Sequence, residues 1–340
     1  MKKRLVDYLA CPECKGSLRC IVYQEDSDFP WTEIIEGCLT CNTCCQEYAI
    51  SRGVPRLLPS TRLADEVKNT VDGFGYEWAT FNDQIQDSYM TGKNNFLDFV
   101  YPVTEQFFED KFVLDAGCGM GRFTRLAAEF GSRDAIGIDL SQSVDAAYRN
   151  TRYLSNAHVV QADIMALPFQ TKFNYIFSLG VLQFLANPRE GFHQLCGQLA
   201  ENGRISIWVY SEEGNGWIIR FIDPFRKFVT SSLPRPVLYQ FSRLLGTFLF
   251  AILKLIYRPA NEGVLGVKFG KFLPFNDYLY YTSRLNYSSV SSVIFDHLVP
   301  QLVVYLPRED VESWFADEQL KEVILTSRNN MSWRAVGTRV

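Results

Sequence analysis

The stretch VLDAGCGMGRFT, residues 113–124, constrains this chain most: an apolar strand runs into a turn and then a helix, with glycines at Gly117, Gly119 and Gly121. Glycines at that spacing let the backbone turn sharply and approach a ligand with no side chain in the way. Asp115 stands at the lip of the turn. The pattern predicts an α/β domain that presents a nucleotide-containing cofactor to the carboxyl ends of its strands.

Two further acids sharpen the prediction. The run AIGIDLS ends its strand at Asp139, where a carboxylate can meet two ribose hydroxyls, and HVVQADIMALPF places Asp163 at a third strand end, within reach of an adenine amine. A dinucleotide-binding fold is the rival, since it also puts an acid beyond its glycines. Its fingerprint, however, needs a small residue where this chain has Arg122, and it has no use for Asp115.

On these motifs the sequence resembles the class I S-adenosylmethionine (SAM)-dependent methyltransferases, over residues 105–210 and again from about residue 291. The resemblance implies a Rossmann-like seven-stranded sheet, closed by the antiparallel pair KEVILTSR and SWRAVGTR. It implies that Asp115, Gly117, Cys118, Gly119 and Gly121 face the methionine end of SAM, that Asp139 and Leu140 hold the ribose, and that Asp163 and Ile164 face the adenine. Leu179 and Gly180, at the end of FNYIFSLG, would pass beneath the sulfonium. Asn174 stands where the family usually has an acid, and Gln183 with Phe184 replaces a common histidine pair.

At the front, Cys11-Pro-Glu-Cys14 and Cys41-Asn-Thr-Cys44 form two knuckles separated by 26 residues. Paired C-x2-C knuckles supply four thiolates to a tetrahedral zinc ion. A redox motif would need only one pair in a βαβ setting. Disulfides are the other alternative, but nine cysteines and a charged MKKR start without a signal-peptide pattern favour a reducing, cytoplasmic location. This segment resembles the small zinc-ribbon methyltransferase activators of the Trm type, here fused to an enzyme. A closed four-cysteine site leaves no position for substrate, so Zn2+ is expected to be structural.

The order of motifs divides the chain into a zinc ribbon (1–60), a linker and N-terminal cap (61–110), a methyltransferase core (111–210 and 291–340) and a helical substrate lid (211–290). In the linker, Tyr76 and Trp78 of FGYEWATF are candidates to cap the cofactor. No apolar run reaches the roughly 18 residues of a membrane span, the longest being LLGTFLFAIL.

Net charge is −4 at neutral pH, and the ribbon carries seven basic against eight acidic residues. Such a balance argues against a nucleic-acid partner, which normally leaves a basic footprint. The lid is the exception, with ten Lys or Arg against five Asp or Glu and 16 of the 49 aromatic residues. These features suggest an acceptor with an apolar or ring body and an anionic handle; alternatively, the aromatics are lid core and the charges a solvated face. Residues 237–257 could also lie on an anionic lipid surface.

Methyl transfer to oxygen needs a base, and only three histidines are available. His158 begins an apolar strand and His193 faces away from the site, which leaves His297, with Asp296 as its orienter or the alternate base. Tyr280 and Tyr281 are weaker rivals. The sequence reading is therefore a methyltransferase acting on a small or carrier-linked metabolite, by O-methylation in natural-product or polysaccharide biosynthesis. The alternatives are an rRNA or tRNA base methyltransferase, or a non-catalytic SAM-binding protein that recruits a partner.

Overall fold

Eleven strands among the described residues join into one sheet: β1 (Leu18–Asp26), β2 (Glu33–Cys41), β3 (Glu47–Ser51), β4 (Val54–Leu57), β5 (Phe112–Ala116), β6 (Asp134–Asp139), β7 (Ala157–Ala162), β8 (Phe173–Leu179), β9 (Leu199–Tyr210), β10 (Lys321–Arg328) and β11 (Ser332–Thr338). The computed structural model describes residues 1–28, 30–60, 65–81, 92–230, 233–263 and 269–340, and of residues 65, 66, 78, 79 and 81 the backbone alone. Strand order is β1-β2-β3-β4-β7-β6-β5-β8-β9-β11-β10.

The last seven strands in that order are the expected class I methyltransferase sheet. β7, β6, β5, β8 and β9 run parallel, and β11 inserts antiparallel between β9 and β10. Every residue of β5 and β7 is buried, because helices cover both faces of a parallel sheet and demand continuous apolar runs. Phe112 and Phe173 stack across neighbouring strands at 4.7 Å. Asn174, in place of the usual acid, accepts the Phe112 N–H at 2.9 Å and so fixes the start of β5.

The zinc ribbon docks on its own core. Its antiparallel strands β1 to β4 extend the sheet, β4 pairing parallel with β7 through Arg56 opposite Gln161 and Leu57 opposite Ala162. Charged contacts flank that seam: Tyr148 donates to Glu33 at 2.7 Å, and Tyr8 donates to Asp134 at 2.9 Å. His158 lies 2.7 Å from the same Asp134 carboxylate, buried beneath the ribbon, which matches its structural assignment.

Around the core lie α1 (Asp65–Phe81), α2 (Lys93–Phe99), α3 (Arg122–Glu129), α4 (Val144–Thr151) and α5 (Pro188–Gly197). The lid contains α6 (Asp223–Phe228), α7 (Arg235–Ile252), α8 (Arg258–Glu262), α9 (Asn276–Ser283) and α10 (Tyr287–Leu298), and α11 (Arg308–Asp317) leads back to the sheet. One sequence boundary falls inside an element. Helix α10 packs on α7, burying Leu238, Phe295 and Leu298 together, so residue 290 falls inside the lid and the sheet resumes only at β10. Gly246 permits that close approach: a Cβ there would lie 2.5 Å from Ser291 Oγ.

The ten-residue apolar run also proves to be part of something longer. Arg235–Glu262 is one helical rod of 28 residues, long and apolar enough to cross a bilayer by length and composition. Arg243 and Lys254 interrupt the apolar run but not the backbone hydrogen bonding, so counting consecutive apolar residues missed it.

Candidate active site and zinc centre

Cys11, Cys14, Cys41 and Cys44 converge with all four sulfur atoms within 4.8 Å of one another. Tetrahedral thiolates about 2.3 Å from zinc lie about 3.8 Å apart, and the closest pairs here, Cys11–Cys44 and Cys14–Cys41, stand at 3.7 and 3.5 Å. The left-handed backbone at Lys15 and Cys45 closes each knuckle, and the Thr43 and Cys44 amides point at Cys41 Sγ. Four soft ligands with no open position fit a structural zinc ion.

The second site is a cleft of about 970 Å³, open to solvent, at the carboxyl ends of the parallel strands. Asp115, Gly117, Cys118, Gly119, Asp139, Leu140, Asp163, Ile164 and Leu179 all line it. Strands running parallel end on one edge, which is why residues so far apart in sequence meet there. Gly121 is the exception among the residues expected at the cofactor. It caps α3 with φ 77°, and a Cβ there would press on Ala147, so its task is backbone geometry.

Each acid has its own environment. Asp139 accepts from Gly119 N at 3.0 Å and from Ser141 N and Oγ at 2.8 and 2.7 Å, which holds the glycine turn against β6. Burial raises the Asp115 carboxyl to about 7, although Thr124 donates to it at 2.6 Å. Burial also raises Asp163, which accepts from Met165 N at 2.8 Å. Gly117 adopts φ 90°, and a Cβ would lie 2.2 Å from Val181 Cγ2, so only glycine fits. A glycine cradle, three strand-end acids and an apolar lining suit the amino-acid, ribose and adenine parts of SAM.

Helix α1 closes one side of this cleft with Val67, Thr70, Val71 and Phe74, and the Phe74 ring lies 4.8 Å from that of Phe184. The sequence placed the cap on Tyr76 and Trp78. Tyr76 instead packs on Phe295 in the lid core, and the Trp78 side chain lies outside the described residues.

Beyond Arg122, which lines both spaces, a second cavity of about 810 Å³ opens between the core and the lid. Its walls include Trp208, Tyr210, Tyr278, Tyr305, Asp296 and His297. The structure thus brings both expected catalytic residues to the space beside the cofactor cleft. They do not act as a hydrogen-bonded pair: successive helical residues project about 100° apart, and His297 Nε2 lies 3.1 Å from the Tyr278 hydroxyl while its ring stacks on Tyr210. Tyr281 donates to Asn95 at 3.0 Å, and Tyr280 is engaged by Arg284.

Electrostatics separates Asp296 from His297. Burial raises the Asp296 carboxyl to about 6, with Arg122 opposing the shift, and lowers His297 to about 4, so the imidazole is neutral at pH 7. Glu77 of α1 completes the cluster. It is wholly buried, accepts from Ser292 Oγ at 2.7 Å, and is held well above the usual carboxylate range by burial and by Asp296. Sequence reasoning gave neither Glu77 nor Arg122 a place in the acceptor site, although both lie in quoted segments, because only the docking of α1 and α3 brings them together. Gln183 is likewise buried, with neither side-chain polar atom partnered among the described residues.

Comparison with known proteins agrees with this geometry. A model described as a methyltransferase domain matches residues 113–203, and one described as a Trm112p-like protein matches residues 2–53. The chain carries a SAM-dependent methyltransferase domain behind a Trm112p-like zinc ribbon. Its cofactors are SAM and a structural zinc ion. The methyltransferase domain is 34% identical over 102 residues to the tRNA U34 carboxymethyltransferase of Aeromonas hydrophila, covering 28% of this chain and 31% of that one. With the enzyme of the same name from Edwardsiella ictaluri it shares 32% over 107 residues, covering 30% and 33%. The chain thus spans about a third of the length of these curated relatives. Among solved structures, a complex of the Haloferax volcanii Trm112 methyltransferase activator with a methyltransferase is similar at 13% identity, covering 80% of this chain and 96% of that one, with a TM-score of 0.43.

The curated relatives are named for tRNA, and that finding overturns two expectations. The acceptor is no longer read as a small or carrier-linked metabolite, and nucleic acid is no longer excluded. The lid's surplus of five positive charges was counted but matched to the anionic handle of a small acceptor, whereas RNA phosphates present the same charge.

Proposed function

We propose that this chain is an RNA methyltransferase that transfers the SAM methyl group to a nucleobase, with tRNA as the substrate class. The observation that carries the proposal is the aromatic cavity beside the cofactor cleft, with Arg122 lining both. Enzymes that modify bases extrude the nucleotide into a pocket and hold it by stacking and edge hydrogen bonds. Tyr210, Tyr278 and Tyr305 supply ring faces and hydroxyls for that purpose, and the basic lid supplies the sign of charge that phosphates need.

When bound, SAM supplies an activated methyl group on a sulfonium. The protein's work is to exclude water, align the acceptor atom and remove its proton. Asp296 is assigned as the base, because a carboxylate raised to about 6 is ionised at pH 7 and more basic than an ordinary aspartate. His297, neutral and hydrogen-bonded to Tyr278, positions the acceptor. Asp139 is assigned to the ribose, Asp163 with Ile164 to the adenine, and Asp115 with the glycine turn to the amino-acid end. Nine unpaired cysteines suit a reducing compartment, so the proposed location is the cytoplasm.

Calorimetry tests the reading. S-adenosylhomocysteine should bind the zinc-loaded chain, and tRNA should bind at the same time and strengthen it. Cofactor binding indifferent to tRNA, and no tRNA binding at moderate salt, would refute an RNA acceptor.

A further inference from the structure

One surface is left unused by the two cavities and the zinc centre. Of the 24 large hydrophobic side chains exposed among the described residues, 15 lie between Trp217 and Phe275. They are concentrated on the rod Arg235–Glu262 and on the segments that flank it. The Trp217 ring lies 4.9 Å from Phe275, which brings those flanking segments together.

The rod has two apolar faces where a helix on a soluble domain needs one. Its inner stripe, Leu238, Ser242, Gly246 and Leu253, is buried, and α7 presents it to α10. Its outer stripe follows the same helical spacing on the opposite side: Leu244, Phe248 and Leu255 are 56%, 63% and 76% exposed. Phe228 and Phe272, on the flanking segments, are 83% and 78% exposed. Contiguous apolar exposure on this scale marks a contact surface.

Charge indicates the partner. Between Asp223 and Glu262 the sequence holds no acidic residue and six basic ones. Arg243 and Arg258, both exposed, fall on one flank of the outer stripe, about 100° per residue round the helix; Arg258 pairs with Glu262, and Lys254 on the same flank turns inward to the Ser283 and Leu285 carbonyls. An apolar stripe bordered by exposed guanidinium groups, in a stretch of one sign of charge, fits the headgroup boundary of an anionic bilayer, where acyl chains receive the Leu and Phe side chains and phosphates receive the arginines. RNA would use the cations but would leave the outer stripe in water. A spanning orientation would require stripping the inner stripe from α10, exposing Ser242 and the small-residue contact at Gly246.

We infer that the outer face of Arg235–Glu262, with the exposed aromatics beside it, docks this enzyme on an anionic membrane surface. The inference uses none of the residues that line the cofactor cleft or the aromatic cavity, and shares with the proposed RNA contact only the cations of the lid.

The test is sedimentation of the full chain with vesicles of phosphatidylcholine alone or mixed with phosphatidylglycerol, at physiological salt. The expected result is binding to the mixed vesicles at least tenfold stronger than to phosphatidylcholine, and at least tenfold loss in the double variant Phe248→Glu, Leu255→Glu. Binding of S-adenosylhomocysteine by the variant should be unchanged, which shows that it folds; the milder Phe248→Ser serves if it does not. Three results would overturn the inference: no vesicle binding by the unaltered chain, a self-association that the double variant dissolves without any vesicle binding, or tRNA binding that the double variant abolishes while vesicles bind neither form.

Discussion

Leu57 of the zinc ribbon pairs in register with Ala162, the last residue of β7 and the neighbour of Asp163 in the cofactor cleft. The zinc ribbon is therefore one residue from an acid of the cofactor cleft, and β4 covers what would otherwise be an open sheet edge.

Removing zinc should be felt at that distance. Cys11→Ser should abolish bound zinc and lower Tm by roughly 10 °C, since metal binding and ribbon folding are linked. It should also weaken S-adenosylhomocysteine, as β7 loses its edge partner. Zinc analysis, a melting curve and calorimetry check this. Full zinc content and an unchanged Tm would remove the metal from the account.

Gly117→Ala should cost about 2 kcal/mol of stability and most of the cofactor affinity, because the new Cβ meets Val181 at a left-handed backbone position. Gly131 is a control: it too has positive φ, but nothing lies within 4 Å of its Cβ position. Alanine there should cost less stability and leave cofactor binding intact. Paired melts and titrations of the two variants make the comparison.

The methyl-transfer rate should rise with pH through about 6 and then level off, as Asp296 loses its proton. Asp296→Asn should lower the rate about 100-fold or more and erase that limb while leaving cofactor affinity unchanged. The stability linkage has the opposite sense. A carboxyl whose folded-state value is raised contributes stability at low pH, and loses it as pH rises from the ordinary carboxylate range towards 6. A profile with the limb intact in Asp296→Asn would assign the proton elsewhere.

Glu77→Gln should cost little stability, because burial and Asp296 push the carboxyl towards its neutral form and Gln keeps an acceptor for Ser292. Glu77→Ala should cost about 1–3 kcal/mol through the lost hydrogen bond and the space left behind. A large loss for Gln, read by thermal melts, would mean that the buried carboxyl is ionised.

His297→Asn and Tyr278→Phe should both raise KM more than they lower kcat if the pair positions the acceptor, whereas a proton-transfer role for His297 would lower kcat chiefly. Steady-state kinetics with tRNA distinguishes the two.

The strand-end acids were legible because parallel strands and glycine turns repeat a local grammar: Asp115, Asp139 and Asp163 each close an apolar run, and the sheet then gathers them on one edge. The four cysteines were legible for the same reason. Contacts made by docking were not. Nothing in the period of α1 says that Val71 and Phe74 face the cofactor while Glu77 faces Asp296. Neither did the sequence of β4, four residues with a proline at Pro55, announce a parallel partner more than 100 residues away. Charge failed most plainly at the acceptor: the basic lid was legible, but its sign does not distinguish a metabolite's anionic handle from an RNA phosphate.

The most direct measurement is transfer of label from methyl-tritiated SAM to purified tRNA by the zinc-loaded chain, with Asp296→Asn run beside it. The account predicts acid-precipitable label that nuclease releases as a modified nucleoside, and almost none with the variant. Label that never enters RNA, from a chain that binds S-adenosylhomocysteine normally, would contradict it.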